Sequence, residues 1–178
     1  MTNKTLTAAE QDVLLQRIGR GEKEALGQLY RATSTAVYGY ALSVLKNPQD
    51  AQDVLHDCYL AVWNGAGGYR PMGKPMAWVL TVCKNLCYGH LRQRQRQAAE
   101  PASDWQEQLA NTAGPGPEDM LVLKSCMECL GDTERQIVTL HVLGGLRFLE
   151  LAGLLEMPLS TVLSKYRRAM QRLRRELQ

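Results

Sequence analysis

The chain has 178 residues, 45% of them apolar, and a formal charge of +3. That length suits one ordinary domain or two small ones, and the apolar content excludes a globally disordered chain. No run approaches the roughly 18 apolar residues of a membrane span, and the polar start MTNKTLTAAEQ has no signal-peptide core, so a cytosolic location is expected. There the five cysteines argue against a disulfide framework.

Helical periodicity dominates and no stretch alternates well enough for a strand, so the expected fold is all-α. Thr7 and Glu10 have the spacing of a capping box and open a helix predicted to reach about Ile18, punctuated by Gly19 and Gly21. From Glu22, Ala25, Leu26, Leu29, Val37, Ala41, Leu42 and Leu45 recur at helical spacing until Asn47-Pro48 stops them. Asp50 is placed to cap a third helix, with Val54, Leu55, Tyr59 and Val62 inward and an end near Asn64. NGAGGYRPMGKP, rich in Gly and Pro, reads as a loop. A long helix then starts at about Pro75, carries Trp78, Val82, Leu86 and Leu91, and is expected to dissolve in RQRQRQ. AAEPASDWQEQLANTAGPGPED is a linker by composition, although Trp105 and Leu109 could form a small dockable turn. Pro117 opens a helix ending at Gly131. Asp132 or Thr133 caps ERQIVTLHVL, which stops at Gly144-Gly145. Two last helices, at about 147–155 and 159–177, flank the short EMP. The expectation is two helical modules, 1–97 and 117–178, tied by a flexible linker over 98–116.

Charge is segregated along the chain. The stretch 50–64 holds Asp50, Asp53 and Asp57 and no Lys or Arg, whereas 84–97 holds Lys84, Arg92, Arg94 and Arg96 and no acid. From Ser160 onward Lys165, Arg167, Arg168, Arg172, Arg174 and Arg175 stand against Glu176 alone. Two basic blocks point to a polyanion, and the acidic one points to a different partner.

In LRFLELAGLLEMPLSTVLSKYRRAM, two helices joined by three or four residues, the second basic, have the outline of a helix-turn-helix. Ala152 supplies a small side chain where the helices cross. Leu159, Val162, Leu163, Tyr166, Met170, Leu173 and Leu177 form an expected apolar stripe. At about 100° per residue, Thr161, Ser164, Arg168 and Arg175 fall on the opposite face, with Ser160 and Arg167 beside it. Short hydroxyls and an Arg suit groove edges, and the later bases suit phosphates. A plain solvated helix is the alternative. A membrane or peptide-groove helix would want bulky aromatics, and Tyr166 is the one aromatic there.

Taken in order, DAQDVLHDCYLAVW, AWVLTVCKNL and TERQIVTLH resemble a bacterial RNA polymerase sigma factor of the extracytoplasmic-function (ECF) group. EALGQLYRATSTAVYGYALSVLKNPQDAQDVLHDCYLAVWNGAGGYRPMGKPMAWVLTVCKNLCYGHLRQRQRQ is similar to sigma domain 2. LGDTERQIVTLHVLGGLRFLELAGLLEMPLSTVLSKYRRAMQRLRREL is similar to sigma domain 4. The resemblance implies a chain that binds core RNA polymerase and directs promoter-specific initiation. It implies that Asp50, Asp53 and Asp57 face the basic clamp helices of the polymerase, with Val54 and Leu55 near the apolar centre of that contact. It implies that Tyr69, Arg70 and Lys74 of the loop, with Trp78, Lys84, Asn85, Tyr88 and Arg92, hold the melted −10 strand, where cations meet phosphates and aromatics stack on bases. Trp78 fits the core as well as it fits a stacking platform. In duplex −35 DNA the implied contacts are Ser160, Thr161, Ser164, Lys165, Arg167, Arg168 and Arg172. Family members commonly have an anti-sigma factor as a further partner. The chain departs from the family pattern at Gly89 (often Asp), Glu156 (a turn Gly), Pro158 (a capping Ser) and Leu163 (a Lys). A non-Gly residue at 156 requires either positive φ or a different turn.

Cys83-x3-Cys87 and Cys126-x2-Cys129 could be imagined as a four-thiolate zinc site. Their same-face helical spacing fits buried small side chains instead, and no metal or cofactor is expected. His56, His90 and His141 have no ligating arrangement, and no nucleophile or phosphate-loop motif is present, so no enzymatic activity is expected. Two other functions are compatible with the residues: a stand-alone helix-turn-helix regulator of duplex DNA, and an interaction protein using its terminal helix.

Overall fold

The computed structural model describes residues 6–97 and 116–176. Among them are eight α-helices and no strand: α1 (Ala8–Gly19), α2 (Lys23–Leu45), α3 (Pro48–Gly65), α4 (Pro75–Arg96), α5 (Pro117–Cys129), α6 (Asp132–Val142), α7 (Phe148–Leu154) and α8 (Leu159–Glu176). A 3-10 turn, Ala66–Gly68, follows α3. The linker expected over 98–116, with Trp105 and Leu109, lies outside the described residues except for Gly116.

Local chemistry accounts for the boundaries. At α1, Thr7 Oγ1 accepts the Glu10 N–H at 3.2 Å while the Glu10 carboxylate accepts the Thr7 N–H at 2.8 Å, a complete capping box. The third helix starts before the expected Asp50. Asn47 is its N-cap, its Oδ1 accepting the Asp50 N–H at 3.0 Å, and Pro48 occupies the first turn, where a missing N–H costs nothing. α4 does not dissolve in the RQRQRQ run but continues to Arg96, whose cationic neighbours suit a helix C-terminus. Gly131, not Asp132 or Thr133, is the N-cap of α6, and Asp132 is already helical.

α2 is the central element, buried along most of its second half, and α1, α3, α4 and α6 pack around it. One apolar cluster runs continuously from Leu14 through Val37, Leu42, Val54 and Leu80 to Ile137, Leu151 and Val162. Each such fully buried aliphatic side chain contributes about 1.5–3 kcal/mol relative to exposure. Helices from the two halves of the chain therefore share one core. Gly39 marks the crossing: a Cβ there would lie 2.9 Å from Leu123 and 3.0 Å from Thr139. Beside it, Lys46 Nζ pairs with Asp132 at 2.8 Å. A second cluster of Cys126, Leu130, Val138, Ala169 and Leu173 seats α8 on α5 and α6. Buried Arg135 donates to the carbonyls of Cys126, Met127 and Leu130, satisfying the end of α5 that the helix itself leaves open.

Candidate nucleic-acid interfaces

α7 and α8 form the expected helix-turn-helix. The turn keeps the left-handed residue that its geometry demands, with Glu156 at φ 54°, and the Met157 N–H donates to Ala152 O at 3.0 Å. On α8 the buried residues are Val162, Ala169 and Leu173, with Tyr166 and Met170 half-buried. Leu159 and Leu163, expected in the apolar stripe, are instead 39% and 40% exposed. Ala169, not anticipated, is fully buried on the inward side, packed with Cys126, Leu130, Val138 and Leu173. Ser160, Ser164, Arg167 and Arg168 are exposed together, while Thr161 and Lys165 are half-buried at the margins. Ser164 Oγ donates back to Thr161 O at 3.0 Å. Arg172 is engaged within the protein, pairing at 3.1 Å with the largely buried carboxylate of Glu134.

The second basic surface belongs to α4 and the loop before it. Asn85, Tyr88 and Arg92, at i, i+3 and i+7, make one exposed face. In the loop Arg70 and Lys74 are exposed, and between them Met72 is 77% exposed, an apolar tip that the sequence reasoning passed over. Tyr69 is half-buried with its ring tilted against Trp78 at 5.0 Å, and its hydroxyl donates to Asp12 of α1. Burial, that hydrogen bond and the Asp12 charge push the Tyr69 phenol well above its usual range. Trp78 packs on the main core, so its indole supports Tyr69 from within.

Lys84 lies apart from that face. Its Nζ donates to Leu154 O at 2.6 Å and pairs with Glu156 Oε1 at 3.3 Å, and its side chain is 18% exposed. The ammonium expected at melted DNA is thus held by the turn of the helix-turn-helix.

The acidic stretch splits in two. Asp53 and Asp57 are exposed on α3 with His56 and Leu60, the latter at 51%. Asp50 turns inward to α4, 3.3 Å from His90 Nε2 and 3.1 Å from Arg94 Nη1. Val54 and Leu55 are 2% and 3% exposed and belong to the protein's own core, so they cannot form the apolar centre of a docking face. Leu60, seven residues beyond Asp53 and thus on the same side of the helix, is the exposed apolar side chain there.

Cys83 and Cys87 lie in the main core and Cys126 in the smaller cluster, with Cys129 packed against it, so the two pairs do not converge. Among the described residues no group of three or more His, Cys, Asp or Glu is placed to hold a metal ion. Burial pushes the Cys126 thiol up to about 12. His141 Nδ1–H donates to Leu146 O, 2.8 Å away, and the ring stacks on Phe148 at 4.3 Å.

Residues 29–97 match the family Sigma-70 region 2 and residues 120–173 match Sigma-70, region 4. The chain is 32% identical over 182 residues to the ECF RNA polymerase sigma factor SigK of Mycobacterium ulcerans (strain Agy99), covering 98% of this chain and 97% of that one. It is 31% identical over 185 residues to SigK of Mycobacterium bovis (strain BCG / Pasteur 1173P2), with the same coverage. Its fold resembles CnrH solved in complex with the cytosolic domain of CnrY, with TM-score 0.63 and 20% identity over 94% of this chain and 97% of that one. The sigma factor RpoE from Bartonella quintana, solved with the anti-sigma factor NepR, gives TM-score 0.61 at 20% identity, covering 85% and 95%.

Proposed function

As a member of the ECF RNA polymerase sigma factors, to which the chain belongs, the protein binds core RNA polymerase and directs it to promoters, and we propose that it does so through three separate surfaces. The exposed acidic face of α3, Asp53 and Asp57 around Leu60, docks on a basic surface of the polymerase, with Asp50 bracing α3 against His90 and Arg94 of α4. The loop 69–74 and the Asn85, Tyr88 and Arg92 face of α4 hold melted −10 strand, phosphates on the cations and bases on Tyr88. α8 enters the major groove at −35 with Ser160, Ser164, Arg167 and Arg168, Thr161 and Lys165 at its edges. Residues 1–97 and 117–178 are the two gripping units and 98–116 the tether. The observation that carries this proposal is the pairing of a basic, aromatic-bearing α4 face with a helix-turn-helix whose second helix exposes a hydroxyl and Arg row.

Distance requires the two units to part. The −10 and −35 elements are separate stretches of one promoter, whereas a compact chain of this length is only ~40 Å across. The packed arrangement, with Lys84 bound to the turn of the helix-turn-helix, is therefore a resting form. Opening breaks the contacts at Gly39, Lys46 and Lys84 together and frees Lys84 for the strand. CnrH and RpoE were solved with CnrY and NepR bound. By extension a protein that holds the closed form is a further partner here. Chemistry belongs to the polymerase, this chain supplying recognition without a cofactor. It acts in the cytoplasm with that enzyme, and no described helix is long and apolar enough to cross a membrane. Run-off transcription by core polymerase plus this chain from a random promoter pool is the test. No transcript from any template would overturn the proposal.

A further inference from the structure

α1 precedes both matched regions, yet one of its side chains reaches the −10 loop. Asp12 Oδ1 accepts the Tyr69 hydroxyl, and Oδ2 accepts the Gly73 N–H at 3.2 Å. A single carboxylate thus ties the two ends of the stretch 69–73, whose exposed middle carries Arg70 and Met72. Gly73 has φ +72°, a left-handed conformation suited to glycine, and its N–H is the second donor that Asp12 holds, beside the Tyr69 hydroxyl. The stem below the loop is fixed as well. A Cβ on Gly19 would lie 2.8 Å from Ala66 O, so the backbone of α1 touches the 3-10 turn that leads into the loop. Above, the Tyr69 ring leans on Trp78 of α4.

We infer that Asp12 is a positioning residue for −10 recognition: it straps loop 69–73 to α1, with Tyr69 against Trp78 of α4, in one conformation and so sets which unpaired base the loop accepts. The inference rests on the assignment of this loop and the α4 face to the −10 strand. Its physical basis is preorganisation. A loop already ordered discriminates between bases, whereas a freed loop adapts to several and loses that discrimination. Loop residues 70–74 are exposed, so cutting the tie releases the loop and leaves the core intact.

The test uses full-length protein with core polymerase on a library randomised across −10 beside a constant −35 element. Asp12→Ala and Tyr69→Phe should each flatten the −10 preference, Asp12→Ala by roughly tenfold, the scale of one lost charged hydrogen-bonding position. The double variant should be no worse than Asp12→Ala alone. Asp12→Asn keeps an acceptor for Tyr69 but loses the one for Gly73, and should fall between. If Asp12→Ala does not fold, Gly19→Ala serves in its place, because it displaces α1 from the stem without removing a hydrogen bond. An unchanged −10 preference in these variants, with Arg70→Ala still altering it, overturns the inference and leaves the assignment of the surface standing. If Arg70→Ala, Asn85→Ala and Tyr88→Ala also leave −10 selection unchanged, the assignment itself fails. A loss spread equally over −10 and −35 selection, with a lowered melting temperature, reduces Asp12 to a folding role.

Discussion

Lys84 Nζ donates to Leu154 O at 2.6 Å, joining residues 70 positions apart. The contact links the helix that carries the −10 face to the turn of the helix-turn-helix. Together with the Glu156 ion pair it joins the two halves of the chain, and on the proposed assignment Lys84 reaches a phosphate only once those halves separate.

Gly39→Leu tests that coupling without touching a DNA-facing residue. Its side chain would collide with Leu123, Thr139 and Leu143, all within 3.3 Å of an added Cβ. The halves should part, and small-angle scattering should show a radius of gyration above the roughly 16 Å of a compact chain of this size. Binding of single-stranded −10 DNA should rise severalfold. A variant that stays compact would show that the crossing repacks instead.

Asp53→Arg should abolish core polymerase binding with the helical circular dichroism unchanged, since Asp53 is exposed and in no salt bridge among the described residues. Leu60→Ala should weaken the same binding by about 1–2 kcal/mol, on the scale of an apolar side chain at the centre of an interface. Fluorescence anisotropy against core polymerase measures both. Unchanged affinity in both would make the α3 face ordinary solvated surface.

On α8, Arg168→Ala should weaken −35-dependent initiation by about 1–3 kcal/mol and change the preferred sequence if the guanidinium reads a base. An unaltered preference would confine Arg168 to phosphate. Leu163, exposed beside Ser164 and Arg167, presents apolar surface suited to a thymine methyl. Leu163→Lys should therefore move the preference at one −35 position from T towards G.

Asp132 titrates in a way that couples pH to the closed form. Its hydrogen bond with Lys46, with further help from the Lys46 and Arg135 charges, holds its carboxyl below the ordinary 3.8. A depressed carboxylate stabilises the fold above the unfolded value and loses that contribution as pH falls through the folded one. Asp132 is 61% exposed, so the effect should stay below about 1 kcal/mol. The stability difference between wild type and Lys46→Met, followed by urea unfolding, should shrink as pH drops below about 4 and stay constant from 5 to 7.

Much of this was legible in the sequence because it is local. The Thr7 box, the stop at Asn47-Pro48 and the short EMP turn are written in neighbouring residues, and the helical period placed the inward faces of α2 and α3. On α4, by contrast, the buried face is Val79, Leu80, Cys83 and Cys87, and the expected Trp78, Val82, Leu86 and Leu91 are half-buried. With Glu156 where the family has a turn Gly, either a positive φ or a different turn was required, and φ there is 54°. What escaped depends on partners distant in the chain. Periodicity put Val54 and Leu55 inward, where they lie, and it was the family resemblance that also placed them in a docking face. Leu163 looked inward because its spacing from Tyr166 fits a stripe, but the buried face of α8 is centred on Val162, Ala169 and Leu173 and leaves Leu163 40% exposed. Asp12 and Lys84 act through contacts spanning 57 and 70 residues, for which no local pattern exists.

The most direct measurement is transcription by core polymerase carrying this chain on a library randomised at both elements, repeated with Tyr88→Ala and Arg168→Ala. Two separate selected motifs at a fixed spacing are predicted, Tyr88→Ala altering the −10 motif alone and Arg168→Ala the −35 motif alone. A single duplex motif, bound by the isolated chain and indifferent to polymerase, would contradict the account.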